Sequence, residues 1–157
     1  MPVEIPKDLV ELLTSGVSIL VATRDTQRLP EAVRAFAPVI APDRRHLAII
    51  VPSGPGDRTI ANLKDNGRIA VAFSRAIDDL SVQVKGTSTD LRPTTDVDRT
   101  IVDRYHAAYI EGLYLIGMPR SLTSRFRCFP GTVVTVEVEG VFNQTPGPGA
   151  GKPFEAR

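Results

Sequence analysis

The sequence contains few residues that could support disulfide, iron–sulfur or metal chemistry. Cys128 is the single cysteine among 157 residues, and His46 and His106 are the two histidines. A single cysteine excludes an internal disulfide and any multi-cysteine zinc or iron–sulfur site. Two histidines that are far apart in sequence do not predict a metal site. Any redox chemistry would therefore belong to something that the protein binds.

An excess of charge of one sign and long apolar runs are also missing. The chain has 19 Lys and Arg against 18 Asp and Glu, a formal net charge of +1. Such a balance gives no broad positive field for nucleic acid or an anionic membrane, so any phosphate must be bound locally. No apolar stretch approaches the ~20 residues of a membrane span, and the first residues lack the pattern of a signal peptide. We therefore expect a cytoplasmic protein that binds neither nucleic acid nor membrane.

What is present is the composition of one soluble domain, 42% hydrophobic and 24% charged, with several short β-branched segments. The predicted strands cover residues 17–23, 32–40, 46–51, 68–74, 80–90 and 132–142. The predicted helices cover 6–13, about 57–65, a segment that begins near 95, and about 121–127.

This order of elements predicts a mainly β fold with peripheral helices, built as a small barrel of six mostly antiparallel strands. A doubly wound parallel sheet is not expected, because long alternation of strands and helices is missing. Residues 1–143 form the predicted domain. Residues 144–157 are rich in Pro and Gly and form a predicted tail that is either loose or ordered by a partner.

The most informative segment is the apolar strand 47–51, which leads through a Gly/Pro turn into a helix with Arg58 in its first turn. A helix N-terminus offers unpaired N–H groups and the positive end of the helix dipole, so this arrangement can cradle a phosphate. The alternative is an ordinary connection in which Asp57 caps the helix and Arg58 is solvated.

The order of these features resembles the FMN-binding split-barrel family typified by pyridoxine/pyridoxamine 5′-phosphate oxidase. The features are an Arg on the second strand, a Gly turn and an Arg after the third strand, and Gly86 on the fifth. The resemblance covers roughly residues 15–92. It implies a six-stranded antiparallel split β-barrel that forms a homodimer and binds FMN at the subunit interface.

The resemblance also implies which residues contact the cofactor. In that family a second-strand Arg and the backbone after it run along the flavin, and the phosphate lies at the helix after the third strand. A Gln on the fifth strand reaches the flavin, often from the other subunit, and two positions here are candidates for it. The implied cofactor-binding residues are Arg34, Ala35, Phe36, Ala37, Pro38, Val39, Pro52, Ser53, Arg58 and Thr59, with Ser81 and Gln83 as the two candidates on the fifth strand.

The roles that the resemblance implies differ between the two arginines. Arg58 would bind the FMN phosphate, with the hydroxyls of Ser53 and Thr59 as further donors. Arg34 would stabilise the reduced, anionic flavin. Thr59 stands where the family often has Lys, which removes one positive charge from the phosphate site.

The expected function follows from the same resemblance. Dedicated pyridoxamine-phosphate oxidases carry a C-terminal Arg-x-His-like substrate site, whereas the end of this chain has no His, and no Arg before Arg157. We therefore expect an FMN-dependent oxidoreductase that acts on another small molecule or on a nicotinamide nucleotide, with no catalytic residue identified. The alternatives are a non-catalytic protein of the same fold that binds flavin, haem or a deazaflavin coenzyme, and an unrelated small barrel.

Overall fold

Alternation of apolar and small or polar residues produces six strands, each with one face in the core. In the computed structural model, which describes residues 1–154, Ile69, Val71 and Phe73 are buried while Ala70 and Ala72 between them are half-buried. The strands are β1 (Ser18–Arg24), β2 (Pro30–Ile40), β3 (His46–Pro52), β4 (Arg68–Ser74), β5 (Ser81–Pro93) and β6 (Gly131–Asn143).

The strands close into a barrel in the order β1-β2-β3-β6-β5-β4. Every neighbouring pair is antiparallel. Closure pairs the backbone of every strand on both sides and leaves no free sheet edge. The predicted six-stranded antiparallel barrel with peripheral helices is confirmed.

The helices lie outside the barrel, as the sequence predicted. A 3-10 turn (Lys7–Leu9) leads into α1 (Val10–Thr14), and α2 (Asp57–Asn66), α3 (Asp96–Leu115) and α4 (Arg120–Thr123) follow. Gly67 ends α2 in the left-handed conformation, with φ 68°. No helix among residues 1–154 is long and apolar enough to cross a membrane.

The segment after β6 folds back and forms hydrogen bonds with β6 and with the start of β5. The N–H of Asn143 donates to the Lys152 carbonyl at 2.9 Å, and the N–H of Phe154 donates to the Val141 carbonyl at 2.8 Å. The Gln144 N–H also donates to the Ser81 carbonyl at 2.8 Å. Up to residue 154 the tail is therefore ordered by its own chain, which the Pro/Gly composition did not indicate. The last three residues of the predicted tail lie outside the described residues.

A β-bulge at Gly86 brings β5 unusually close to β6, and here only glycine fits. The register shifts between Lys85 and Gly86, and a Cβ added at Gly86 would lie 2.0 Å from the Glu137 carbonyl oxygen. Gly112 on α3 is the opposite case, because a Cβ added there meets nothing within 4 Å.

We expect Gly86→Ala to destabilise the protein by about 1–3 kcal/mol, because the methyl group overpacks the β5–β6 contact. Gly112→Ala is the matched control and should stabilise it by up to about 1 kcal/mol, since alanine is the better helix former. Urea unfolding followed by circular dichroism measures both. Equal midpoints for the two variants would contradict this account of the bulge.

Candidate functional site

The outer surface of β1, β2 and β4 carries a patch of small side chains that no helix covers. Buried residues such as Ile19, Val21 and Val71 point into the barrel, so the residues between them point outward. Leu20 is 46% exposed, and it lies among alanines on neighbouring strands. We call this patch the alanine face, and it consists of Leu20, Ala22, Ala32, Ala70 and Ala72.

Two of the residues predicted to contact a cofactor lie at opposite edges of the alanine face. Arg34 pairs with Leu20, Leu20 pairs with Ala72, and Ala72 pairs with Gln83. Arg34 and Gln83 thus end one row across four strands, and their backbones lie about 14 Å apart at normal strand spacing. The structure places them on one surface without bringing them into contact.

Arg34 reaches from β2 to the aromatic side of α3. Its Nη1 donates to the Ser18 Oγ at 2.9 Å and to the Tyr109 hydroxyl at 2.8 Å. The guanidinium also lies 5.5 Å from the centre of the Phe126 ring. No carboxylate among residues 1–154 forms an ion pair with Arg34. Within residues 1–154 the Arg34 guanidinium therefore contacts only neutral groups.

The other predicted arginine lies at the N-terminus of α2. The Arg58 side chain is 56% exposed and approaches Asp25 at 4.0 Å and Glu31 at 3.6 Å, which are long contacts. Glu31 and Arg34 are three residues apart on β2, so their side chains point to opposite faces of that strand. Arg34 and Arg58 do not line either of the two grooves described below.

The first turn of α2 leaves donors free. The N–H groups of Gly56 and Asp57 bond to the Pro52 and Gly54 carbonyls, whereas those of Arg58 and Thr59 bond to no described residue. The Asp57 carboxylate accepts from the Gly54 N–H at 2.9 Å and does not cap the helix. The Thr59 Oγ1 is buried and has no hydrogen-bond partner in residues 1–154. Free N–H groups at a helix N-terminus suit an anion, whereas the Thr59 side chain is fully buried. The predicted phosphate site at this turn stays a prediction.

Pro52 and Ser53 lie between α2 and Arg34. Phe36 pairs with Ile50 at this end of the β2–β3 ladder, and Pro52 ends β3 two residues later. Pro52 is buried, and Ser53 is exposed.

The two candidates on β5 differ in how strongly this chain holds them. The Ser81 hydroxyl lies 2.9 Å from the Ser74 hydroxyl and 2.8 Å from the Asp79 carbonyl. The Ser81 N–H donates to the Thr145 Oγ1 in the tail at 3.0 Å. Gln83 is half-buried and forms no side-chain hydrogen bond with a described residue. The geometry therefore favours Gln83 as the side chain that is free to bind a ligand.

The segment Ala35–Val39, which was predicted to contact the cofactor, is interrupted by a β-bulge. Ala35 is buried, and Phe36 packs beneath α3 with its ring centre 6.1 Å from that of Tyr105 and 6.3 Å from that of Tyr109. The register with β3 shifts between Phe36 and Val39, and Ala37 has a φ of 54°. A non-glycine residue in this region stores strain, and such strain is frequent at binding sites.

Beside this bulge is a groove of about 480 Å³, a volume in the range of ligand sites. We call it the bulge groove. Ala37, Pro38 and Val39 form one wall, and Arg104 and Tyr105 on α3 belong to the other. Arg104 is exposed and has no ion-pair partner among residues 1–154.

A second groove, of about 130 Å³, lies further along the same side of α3 and shares Ser15 and Ala108 with the first. We call it the apolar groove. It lies between the link from α1 to β1, the β4–β5 loop and the C-terminal half of α3. Ser18 and Tyr109, the two groups that accept from Arg34, are among its lining residues, and Ile77 and Leu115 lie on its exposed side.

The start of α3 is fixed by an ion pair between the exposed Arg92 and the buried Asp98. This pair positions the helix that lines both grooves. Arg92 donates to both Asp98 carboxylate oxygens at 2.8 and 2.9 Å, and the Thr95 N–H donates to the same carboxylate at 2.7 Å. The Arg92 hydrogen bonds hold the pKa of Asp98 well below its usual range. Thr95 and Asp98 form a capping box, with Asp in place of the usual Glu.

Solved structures with this architecture are similar to the chain at low sequence identity. HupZ from Group A Streptococcus matches with a TM-score of 0.58 and 21% identity, covering 94% of this chain and 99% of that chain. An F420 reductase matches with a TM-score of 0.56 and 15% identity, covering 87% and 98%. An FMN-binding protein from Syntrophomonas wolfei subsp. wolfei matches with a TM-score of 0.53 and 14% identity, covering 96% and 89%. The chain has the split-barrel fold.

No protein-family model and no curated protein matched the sequence. The split barrel was expected from the resemblance, and the comparisons confirm it at the level of the fold.

Sequence reasoning missed two features of this split barrel. Tyr109 has the spacing of a core residue on α3, and its hydroxyl also accepts from Arg34. Thr145 was placed in the tail, yet it holds the Ser81 backbone. Both contacts join segments more than 60 residues apart, so no local sequence pattern could have found them.

Proposed function

We propose that this split barrel binds FMN on the alanine face and acts as an FMN-dependent oxidoreductase on a small molecule. The observation that carries the proposal is an uncovered surface of small apolar side chains with Arg34 at one edge, Gln83 at the other and the α2 N-terminus at one end. The fold it shares with an FMN-binding protein and an F420 reductase supports the proposal.

The alanine face suits a planar aromatic ring. Methyl side chains keep the surface flat, so a ring system can pack against both side chains and backbone, and burial of apolar area would drive the contact. Arg34 and Gln83 supply donors where the polar rim of such a ring would lie. A guanidinium at that rim favours the reduced anionic form, which is the role proposed for Arg34.

The α2 N-terminus suits a phosphate monoester. The free N–H groups of Arg58 and Thr59, the guanidinium of Arg58 and the Ser53 hydroxyl are the proposed donors. Binding would replace the long contacts of Arg58 with Asp25 and Glu31, and exposed ion pairs of this kind contribute little. The two carboxylates and the neutral Thr59 lower the positive potential at this end, so the ring must supply much of the affinity.

A second copy of the chain is the proposed cover for the alanine face. Leu20 is 46% exposed, and nothing in residues 1–154 shields a ring placed on this face from water. In the proposed homodimer the two faces exclude water from the ring. When bound, FMN supplies hydride and single-electron transfer, while the protein supplies binding and electrostatics. The proposed reaction partners are a small molecule or a nicotinamide nucleotide.

Replacing Arg58 tests the phosphate end. Loss of one charge-assisted hydrogen bond costs about 1.5–3 kcal/mol, so Arg58→Ala should weaken FMN binding by roughly ten- to a hundredfold. Quenching of flavin fluorescence in a titration measures the dissociation constant. Arg45→Ala is the control, because Arg45 is also an exposed, ion-paired arginine, with a side chain that is 50% exposed. An unchanged dissociation constant for Arg58→Ala would remove Arg58 from the site.

A non-catalytic binding protein is the second candidate, and the residues around the alanine face favour it in one respect. No His, Asp or Glu belongs to this face, so it presents no general acid or base of its own. Deazaflavin is the proposed alternative ligand, since an F420 reductase shares the fold. Haem is the weaker alternative, because neither histidine lies on the face to supply an axial ligand.

Adding NADH or NADPH to the FMN-loaded protein without oxygen distinguishes an enzyme from a carrier. The oxidoreductase proposal expects the flavin absorbance near 450 nm to bleach and to return on admission of air. A spectrum unchanged by either nucleotide and by a panel of small reductants would favour the carrier.

A further inference from the structure

The Arg34 side chain is held at one of its three guanidinium nitrogens by groups from three parts of the chain. Its Nη1 donates to the Ser18 hydroxyl on β1 at 2.9 Å and to the Tyr109 hydroxyl on α3 at 2.8 Å, and the Phe126 ring packs against the guanidinium. Those two hydrogen bonds use both N–H groups of Nη1. Nε and Nη2 carry the other three N–H donors, which bond to no residue among 1–154.

Of the two hydroxyls that accept from Arg34, that of Tyr109 has the more rigid position. Tyr109 is 3% exposed. Its ring stacks on Tyr105 at 5.9 Å with the planes 12° apart, and it lies 6.3 Å from the Phe36 ring and 5.9 Å from the Phe126 ring. A ring that is packed on several sides keeps one rotamer, whereas a half-buried serine hydroxyl can rotate. Tyr109 therefore fixes where the charge of Arg34 lies.

We propose that Tyr109 is a positioning residue for the cofactor, which acts by holding the Arg34 guanidinium with its Nε–Nη2 edge free. That edge presents two parallel N–H groups, which suit two neighbouring acceptors at the rim of the flavin pyrimidine ring. Ordering this side chain before a ligand binds also removes part of the entropy cost of binding. Arg34 pairs with Leu20 of the alanine face, so this role rests on the FMN binding proposed above.

Tyr105 provides a matched control for Tyr109 one turn away on the same helix. Both rings are buried, they stack on each other, and each also packs against Phe36. The Tyr105 hydroxyl donates to the Val17 carbonyl and does not contact Arg34. Phenylalanine at either position keeps the ring and removes one hydroxyl, so the two variants differ in whether the Arg34 contact is lost. The dispersion of the amide spectrum confirms that both are folded.

The first measurement uses the flavin-free protein and follows the Arg34 Nε–H group by NMR of isotope-labelled samples. In the wild-type protein and in Tyr105→Phe we expect the order parameter of a rigid group, about 0.85. In Tyr109→Phe it should fall below about 0.6, the range of a mobile group, because the rigid acceptor of Nη1 is lost.

The second measurement is the dissociation constant of FMN, followed by quenching of flavin fluorescence. Tyr109→Phe should weaken binding of oxidised FMN about two- to tenfold, which is the effect of having to order one long side chain on binding. Tyr105→Phe should bind FMN as the wild-type protein does. In an Arg34→Met background Tyr109→Phe should have no further effect, since Tyr109 acts through the arginine.

The third measurement is the midpoint potential of bound FMN, which a purely structural role of Tyr109 would leave unchanged. An ordered cation favours the reduced, anionic flavin, because hydrogen bonds to charged groups are the stronger ones. We therefore expect Tyr109→Phe to lose about three- to tenfold more affinity for reduced than for oxidised FMN. This difference lowers the midpoint potential of a two-electron couple by about 15–30 mV, whereas Tyr105→Phe should keep the wild-type potential.

Equal FMN affinities and potentials in Tyr109→Phe and Tyr105→Phe would overturn the positioning role and leave the FMN proposal intact. An effect of Tyr109→Phe that persists in the Arg34→Met background would overturn it as well. If the wild-type protein binds no FMN, the function proposed above is rejected, and the flavin-free measurement decides alone. An Arg34 signal that stays rigid in Tyr109→Phe then overturns the role of Tyr109, and a signal that becomes mobile in that variant only supports it.

Discussion

Closure of the six-stranded ladder is the constraint on which the rest of the structure depends. Because the barrel is closed, the backbone of each strand is satisfied on both sides and the interior is filled by apolar side chains such as Val71, Phe73 and Val84. No ligand can enter that interior, so any binding must use the outside. The helices then decide which outer surfaces stay open. α3 covers β2 at Phe36, and it leaves the alanine face on one side and the bulge groove on the other.

The outer surface has single unpaired arginines rather than a broad positively charged region. The net charge is +1, yet Arg34 and Arg104 each stand beside a groove or an open face without a carboxylate partner in residues 1–154. Arg58 has only long contacts to Asp25 and Glu31. Unpaired guanidinium groups next to apolar surface are suited to ligands that combine a flat or hydrophobic body with an anionic group. FMN has this chemistry.

The fold could be predicted from the sequence because its signals are local. β-branched alternation marked the strands, Gly67 marked the end of α2, and Thr95 with Asp98 marked the start of α3. The site could be predicted only in part. The α2 N-terminus with Arg58 follows from one continuous segment, whereas the surroundings of Arg34 depend on Tyr109 and Phe126, which are remote in sequence. Pro38 indicates an edge or a bulge on β2, and the bulge is there. The left-handed conformation of Ala37 could not be foreseen, since alanine has no preference for it. The order of the tail depends on Asn143, Ser81 and Val141, whose contacts composition cannot show.

The central claim is that the alanine face is the flavin-binding surface, and an arginine placed in its middle tests it most directly. Ala72 lies between Leu20 and Gln83 on this face, while Thr135 is a half-buried position on the outer surface of β6, away from it. FMN titrations of folded Ala72→Arg and Thr135→Arg compare the two positions. The account predicts that Ala72→Arg loses FMN binding by at least about a hundredfold through steric exclusion of the ring, and that Thr135→Arg binds as the wild-type protein does. Wild-type affinity in Ala72→Arg would contradict it.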